Sequence, residues 1–307
     1  MARVFVTREL PGRALTRLQA EHNTTVWPEP LPPNYEQLRH YAAGSEALLT
    51  MLTDRIDAEL IEASPELKVV ANYAVGYDNI DVRCAAEHGI SVGNTPDALT
   101  EATADLTFTL LMASARKIPE AAAAARTGQW QTWQPSGFLG ADVWGSTIGI
   151  IGLGRIGSAV ARRARGFGME VLTTESRDLS NLEHLLTHSD FVTVHLPLVP
   201  QTRNLIDAKA LALMKRSAIL INTARGGIVD QSALCKALHE GEIAGAALDV
   251  TDPEPLPPEH PLWQAPNLLV VPHIGSATRT ARERMAEMAV DNVLAGLAGR
   301  ELPHQVI

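Results

Sequence analysis

Short apolar runs recur along the first third of the chain: "RVFVT" (3–7), "TTVWP" (24–28), "ALLTML" (47–52), "KVVAN" (68–72) and "ISVGN" (90–94). Runs of this length bounded by turn residues predict buried strands. Between them, "PGRALTRLQAEH" (11–22) and "DVRCAAEHG" (81–89) space their apolar residues at helical intervals. The alternation is βαβα, the rhythm of a parallel sheet with helices on its faces. A long helical pattern follows over 101–118, then an alanine-rich helix at "EAAAAARTG" (120–128). A second series opens at "STIGIIGLG" (146–154). It continues in "FVTVHLP" (191–197), "SAILIN" (217–222), "AGAALDV" (244–250) and "LLVVP" (268–272). Within it a helix is predicted over 230–241, opened by Asp230 and closed by Gly241. A last helix is predicted over 278–298, ending at Gly299. No repeat of solenoid length interrupts this pattern, so the expectation is two α/β units divided near residues 95–100.

Composition narrows the class. The chain has 307 residues, enough for two cores, with 46% hydrophobic and 20% charged residues, as in a globular protein. A net charge of −9 argues against nucleic acid, whose phosphates require a basic face. No uncharged apolar stretch reaches the roughly 18 residues that a membrane span needs, and "MARVFVTREL" does not read as a signal peptide. Cys84 and Cys235 both fall in helical patterns and suggest no disulfide framework, so the expected compartment is the cytoplasm.

The strongest local signal is "IGIIGLGRIGSAVARRARGFGMEVLTTE", in which Gly152, Gly154 and Gly157 form G-x-G-x-x-G between a strand and a helix. A second strand follows, then an acid, Glu175, 23 residues beyond Gly152. That context is the dinucleotide fingerprint: a tight turn, close backbone approach to a pyrophosphate, and a helix N-terminus facing the anion. Glu175 stands where a carboxylate binds a ribose 2′-hydroxyl, which favours NAD(H). Arg177, two residues on, keeps NADP(H) open.

Reducing a ketoacid with such a cofactor asks three things of a protein: a carboxylate anchor, a proton donor, and a group that keeps the donor charged. Three stretches, each just past a late strand, offer them. "INTARGGIVD" brings Arg225, whose planar fork suits a carboxylate. "LDVTDPEP" brings Glu254, and "LLVVPHIGSAT" ends its apolar run by presenting His273. A carboxylate beside an imidazole favours the protonated ring. In an open α/β sheet, ligands bind at the carboxyl ends of the strands, and these three are expected to converge there.

Taken together the motifs resemble one family. "MLTDRID", "NYAVGYDNIDV", "NTPDALTEATADL", "GLGRIG", "HLPL", "NTARGGIVD", "LDV…PEP" and "PHIGSAT", in this order, are similar to the D-isomer-specific 2-hydroxyacid dehydrogenases over nearly the whole chain. The glyoxylate/hydroxypyruvate reductase branch is the most similar. The resemblance implies two doubly wound parallel-sheet domains: a flavodoxin-like substrate domain of residues 1–98 with 284–307, and a Rossmann nucleotide-binding domain of residues 99–283, with a closing cleft between them. It implies that Arg225, Glu254 and His273 are the catalytic trio and that the backbone at Val75 and Gly76 holds the substrate carboxylate, with Ser276 nearby. It further implies cofactor contacts from Thr103, Arg155, Ile156, His195, Thr223 and Asp249. Trp133 matches a tryptophan that reaches the partner's site in a homodimer, or else a plain interface or core aromatic.

The chain also departs from that pattern. The segment between Glu175 and "NLEHLL" is shorter than the family's, removing most of a helix and strand near the adenosine. Thr251 replaces an aromatic residue. Val75 stands where phosphite dehydrogenases carry lysine, against that activity. His184 and His188 have a zinc-like i, i+4 spacing but no third ligand, so no metal is expected. The leading expectation is an enzyme that reduces glyoxylate or hydroxypyruvate. A dehydrogenase of D-lactate or 3-phosphoglycerate type and a nucleotide-sensing, corepressor-like binding protein are the alternatives, the latter because fold does not fix function.

Overall fold

The computed structural model describes residues 1–175 and 178–307, which form two compact units: Met1–Leu99 with Ala277–Ile307, and Thr100–Ser276. The second division expected at 283/284 would cut the helix Arg279–Leu297. That helix is one hydrogen-bonded element opened by a Thr278 cap, and it lies whole in the first unit.

The first unit is a five-stranded, all-parallel sheet of β1 (Arg3–Val6), β2 (Asn23–Val26), β3 (Ala47–Thr50), β4 (Val69–Asn72) and β5 (Ser91–Gly93), in the order β2-β1-β3-β4-β5. This is the flavodoxin-like order. β3 and β4 are buried along their whole length, as strands covered on both faces must be. Because side chains alternate across a strand, Val4, Leu49, Val69 and Ala71 face one core. The helices Ala14–Glu21 and Arg279–Leu297 close it. Phe5, Leu48, Val70 and Val92 face the other, under the helices Tyr35–Ala43, Ala58–Glu62 and Val82–Glu87.

The second unit is a six-stranded parallel sheet of β6 (Thr147–Ile151), β7 (Glu170–Thr174), β8 (Phe191–Val194), β9 (Ile219–Asn222), β10 (Gly245–Leu248) and β11 (Leu268–Val270). Its order is β11-β10-β9-β8-β6-β7. Relative to the 3-2-1-4-5-6 nucleotide-binding order, β7 is the edge, with no strand outside it among the described residues. Among the described residues, 178–190 carry the helix Leu182–His188 and no strand. Ile148, Ile150, Phe191, Ile221 and Ala247 pack under the helices Thr100–Ala115 and Arg155–Gly166. Val192, Val194, Leu220 and Leu248 pack under the helices on the opposite face.

The helical pattern over 101–118 is broken. The helix Thr100–Ala115 stops, Lys117 takes a left-handed conformation (φ 50°), and a new helix runs Ile118–Arg126. Pro119 explains the break: in a continuous helix its ring would strike the carbonyl of Ala115, four residues earlier.

Candidate active site

In the second unit the chain steps from β6 outward to β7, then returns to place β8 on the other side of β6. Ligands bind at such a switch point, beyond the carboxyl ends of the strands. Gly152 leaves β6 with φ 96°, a conformation that requires glycine. A Cβ there would lie 2.8 Å from the His195 carbonyl oxygen, so the loops after β6 and β8 touch backbone to backbone. A Cβ on Gly157 would collide with the Gly152 carbonyl oxygen, and its absence lets the helix Arg155–Gly166 start tight against the turn. Gly154 caps that helix, and Arg155 and Ile156 form its first turn, at the positive end of the helix dipole. This cradle fits a pyrophosphate. Thr174, the last residue of β7, accepts the Gly152 amide at 3.1 Å, and exposed Glu175 follows it. Arg177 lies outside the described residues.

His195 continues from β8, its amide bound to the Ile151 carbonyl at 2.8 Å and its Nε2 3.0 Å from Thr193 Oγ1. Loss of hydration on burial lowers its pKa to about 3, so the ring is neutral at physiological pH.

The strands β9, β10 and β11 run parallel and side by side, so the residues after them emerge at one edge. After β9, Asn222 closes a tight turn: its Oδ1 accepts the Ala224 amide at 3.0 Å, and its Nδ2 donates to the Arg225 carbonyl at 2.9 Å. Arg225 is partly buried and also donates from Nη1 to the Ala224 carbonyl. After β10 comes Asp249, 2% exposed, and then the loop that carries Glu254. After β11 comes His273, left-handed at φ 50°.

Asp249 explains how that unfavourable backbone persists. Its carbonyl accepts the His273 amide at 2.9 Å, and its carboxylate accepts the Ile274 amide at 2.6 Å and the Gly275 amide at 2.8 Å. Burial pushes the Asp249 carboxyl above its ordinary range, offset in part by those amides and by His273. His273 Nδ1 is hydrogen bonded to Glu254 Oε1. A carboxylate only accepts, so Nδ1 carries the proton and Nε2 is the nitrogen left for another partner. Both side chains stay partly open, 23% and 32% exposed, as groups that meet a ligand must.

The helix Thr100–Ala115 braces two of these loops from below. Thr103 Oγ1 donates to the Gly275 carbonyl at 3.2 Å, and Thr107 Oγ1 lies 2.9 Å from Thr223 Oγ1. The hydroxyls of Thr103 and Thr223 are thus engaged in holding the site's frame. Thr107 was not singled out in the sequence; its place one helical turn beyond Thr103 is the signal that points to it. Ser276, partly buried, follows Gly275 at the end of this unit.

Val75 and Gly76 lie in the first unit, on the loop after β4. Asn94 Nδ2 donates to the Val75 carbonyl at 2.8 Å and Asn72 Nδ2 to the Gly76 carbonyl at 2.9 Å. Trp133 is 78% exposed, on an irregular stretch of the second unit that also exposes Trp130, Phe138, Leu139 and Trp144. The rings of His184 and His188 lie 4.1 Å apart at a tilt of 33°, and no group of three metal-binding side chains occurs among the described residues. No described helix is long and apolar enough to cross a membrane.

Comparison with known proteins agrees with this fold. Residues 108–275 match the family described as D-isomer specific 2-hydroxyacid dehydrogenase, NAD binding domain. The chain is 49% identical to a glyoxylate reductase of Korarchaeum cryptofilum, covering 99% of this chain and 95% of that one. Identity to a glyoxylate reductase of Thermococcus kodakarensis is also 49%, covering 98% and 95%. Among solved structures it is similar to the TT0316 protein from Thermus thermophilus (TM-score 0.92, 49% identity, 99% and 100% covered). It is also similar to an NADPH-dependent glyoxylate/hydroxypyruvate reductase from Sinorhizobium meliloti in complex with NADP and malonate (TM-score 0.87, 33% identity, 99% and 96% covered).

Proposed function

Because the chain belongs to the D-isomer specific 2-hydroxyacid dehydrogenases, a family of oxidoreductases, we propose that it reduces glyoxylate or hydroxypyruvate to the corresponding 2-hydroxyacid, the D isomer in the second case, with Arg225, Glu254 and His273 as its catalytic residues. The observation that carries these assignments is the His273–Glu254 hydrogen bond at the strand ends, in the same unit as the glycine cradle.

Each residue has one task. Arg225 binds the substrate carboxylate, its guanidinium supplying two parallel N–H donors to two oxygens. His273 delivers the Nε2 proton to the ketone oxygen as that oxygen becomes an alkoxide. Glu254 fixes the ring through Nδ1 and balances its positive charge until the proton leaves. Positioned proton transfer of this kind contributes roughly 10²–10⁴ in rate. Gly152, Gly154, Gly157 and the first turn of the helix Arg155–Gly166 would hold the dinucleotide, whose nicotinamide supplies hydride when bound. Exposed Glu175 at the end of β7 supports NAD(H), since a carboxylate there repels a 2′-phosphate.

The same proposal extends to assembly and location. The exposed Trp130, Trp133, Phe138, Leu139 and Trp144 form an apolar stretch of a kind usually covered in solution, here by a second copy of the chain. The reduced cysteines Cys84 and Cys235 suit the cytoplasm.

The test follows loss of reduced-nicotinamide absorbance with each ketoacid, NADH and NADPH run in parallel. Turnover of roughly 1–10³ per second with NADH is expected. Tight cofactor binding without turnover of either acid would overturn the proposal.

A further inference from the structure

Gln231 opens the helix Gln231–Glu240, directly after its Asp230 cap. A polar side chain at a first helical position ordinarily points to water, yet Gln231 is only 8% exposed. Its carboxamide is turned onto the backbone of one residue, Asp252. The Asp252 amide donates to Gln231 Oε1 at 3.0 Å, and Gln231 Nε2 donates to the Asp252 carbonyl. One side chain thus satisfies both backbone groups of a loop residue, two positions ahead of Glu254.

The loop is fixed on its other side as well. A Cβ on Gly226 would collide with the Thr251 carbonyl, so the segment following Arg225 packs backbone to backbone against the loop that leads to Glu254. Thr251 Oγ1 closes the turn by donating to the Pro253 carbonyl at 2.8 Å. The Asp252 carboxylate meets Arg203 at 3.2 Å, but that pair is half exposed and holds weakly. Among the described residues, the buried side-chain hydrogen bonds that join this loop to an α-helix are those of the Gln231 carboxamide.

We propose that Gln231 is a positioning residue: it ties the 251–254 loop to the helix behind Arg225 and so sets Glu254 against His273 Nδ1. The proposal rests on the reading of Glu254 and His273 as the catalytic pair. A supporting group of this kind matters because displacement of a catalytic group by about 1 Å lowers rates by up to 10²-fold.

A double-mutant cycle on the full-length protein tests it. Gln231→Met, which keeps the volume and removes both bonds, should lower kcat about tenfold while the KM for ketoacid and the Kd for NADH stay within about twofold. Gln231→Glu keeps the acceptor for the Asp252 amide and should fall between; it serves the same cycle if the Met variant does not fold. Added to Glu254→Gln, either change should lower kcat by less than about twofold, because the group it positions is already gone. A tenfold loss in both backgrounds, no loss in the native background, or a joint decline of kcat, both affinities and Tm would overturn the proposal. Deuterium exchange of the amides of residues 250–256 supplies a readout that needs no turnover, and should quicken in Gln231→Met. Unchanged exchange refutes the clamp, whereas equal kcat for the native chain and Glu254→Gln refutes the catalytic pair itself.

Discussion

Glu254 and His273, 19 residues apart in the chain, share a hydrogen bond across the loops that follow the neighbouring strands β10 and β11. The bond commits Nδ1 of the ring and leaves Nε2 for another partner.

On the role proposed for His273, its removal should abolish the chemistry and spare binding. His273→Ala should lower kcat by roughly 10²–10⁴ with the Kd for NADH unchanged. Steady-state kinetics alongside a fluorescence titration of the cofactor check this. A fall of less than about fivefold would mean that another group, or water, delivers the proton.

Arg225 lies in a tight turn closed by Asn222, and its Nη1 donates to the Ala224 carbonyl. Arg225→Lys keeps the charge but loses the fork, and each charge-assisted bond is worth about 1.5–3 kcal/mol. The kcat/KM for glyoxylate should fall about 10–100-fold, with the KM for NADH preserved. Loss of NADH affinity in parallel would move Arg225 from the substrate to the cofactor.

Cofactor choice should follow Glu175. Its exposed carboxylate opposes a 2′-phosphate, and two unit charges about 4 Å apart near a protein surface interact by up to about 4 kcal/mol before screening. Glu175→Gln should narrow the NADH-to-NADPH ratio of kcat/KM about tenfold. An unchanged ratio would place the discrimination elsewhere in the segment after β7.

His195 carries a pH signature in stability. Its folded pKa of about 3 lies below the roughly 6.5 of an unfolded histidine, so below pH 6.5 the unfolded chain takes up a proton that the folded chain refuses. Stability from this site is full above pH 6.5 and declines as pH falls towards 3. The decline averages about 1 kcal/mol per pH unit between pH 7 and 5, under the limiting ~1.4 because the unfolded histidine is only partly protonated near pH 6.5. Urea unfolding at pH 7, 6 and 5 should give a shallower acid slope for His195→Gln than for the native chain. Parallel slopes would show that the ring is already hydrated.

Much of this fold can be read from the chain itself, for identifiable reasons. The strands are short apolar runs bounded by turn residues, and Gly152 and Gly157 are set by local steric demands that leave a motif. The cap at Asp230 and the left-handed Gly241 that closes the helix are likewise local. The break at Lys117 is equally local, since Pro119 signals it, but apolar periodicity runs through the break and hides it. What periodicity cannot carry is a contact between a side chain and a distant backbone. Asp249 grips the amides of Ile274 and Gly275, and Gln231 grips Asp252, groups that nearly every residue type presents. Their sequence neighbourhoods look like those of any strand end or helix start. The edge position of β7 came through differently: a segment too short for another crossover left no residues from which to build one.

The exposed stretch around Trp133 has an optical consequence. Of the five tryptophans in the chain, Trp130, Trp133 and Trp144 stand in water on this one segment. Indole emission shifts to the blue when water is excluded, so the pairing proposed for this segment would change the colour of the protein's emission, with Trp27 and Trp263 as background. A concentrated sample should emit at shorter wavelength than a dilute one, at a midpoint equal to the dissociation constant of the pair. An emission maximum independent of dilution, with sedimentation as a single chain throughout, would leave these indoles permanently wet and the second copy without a seat.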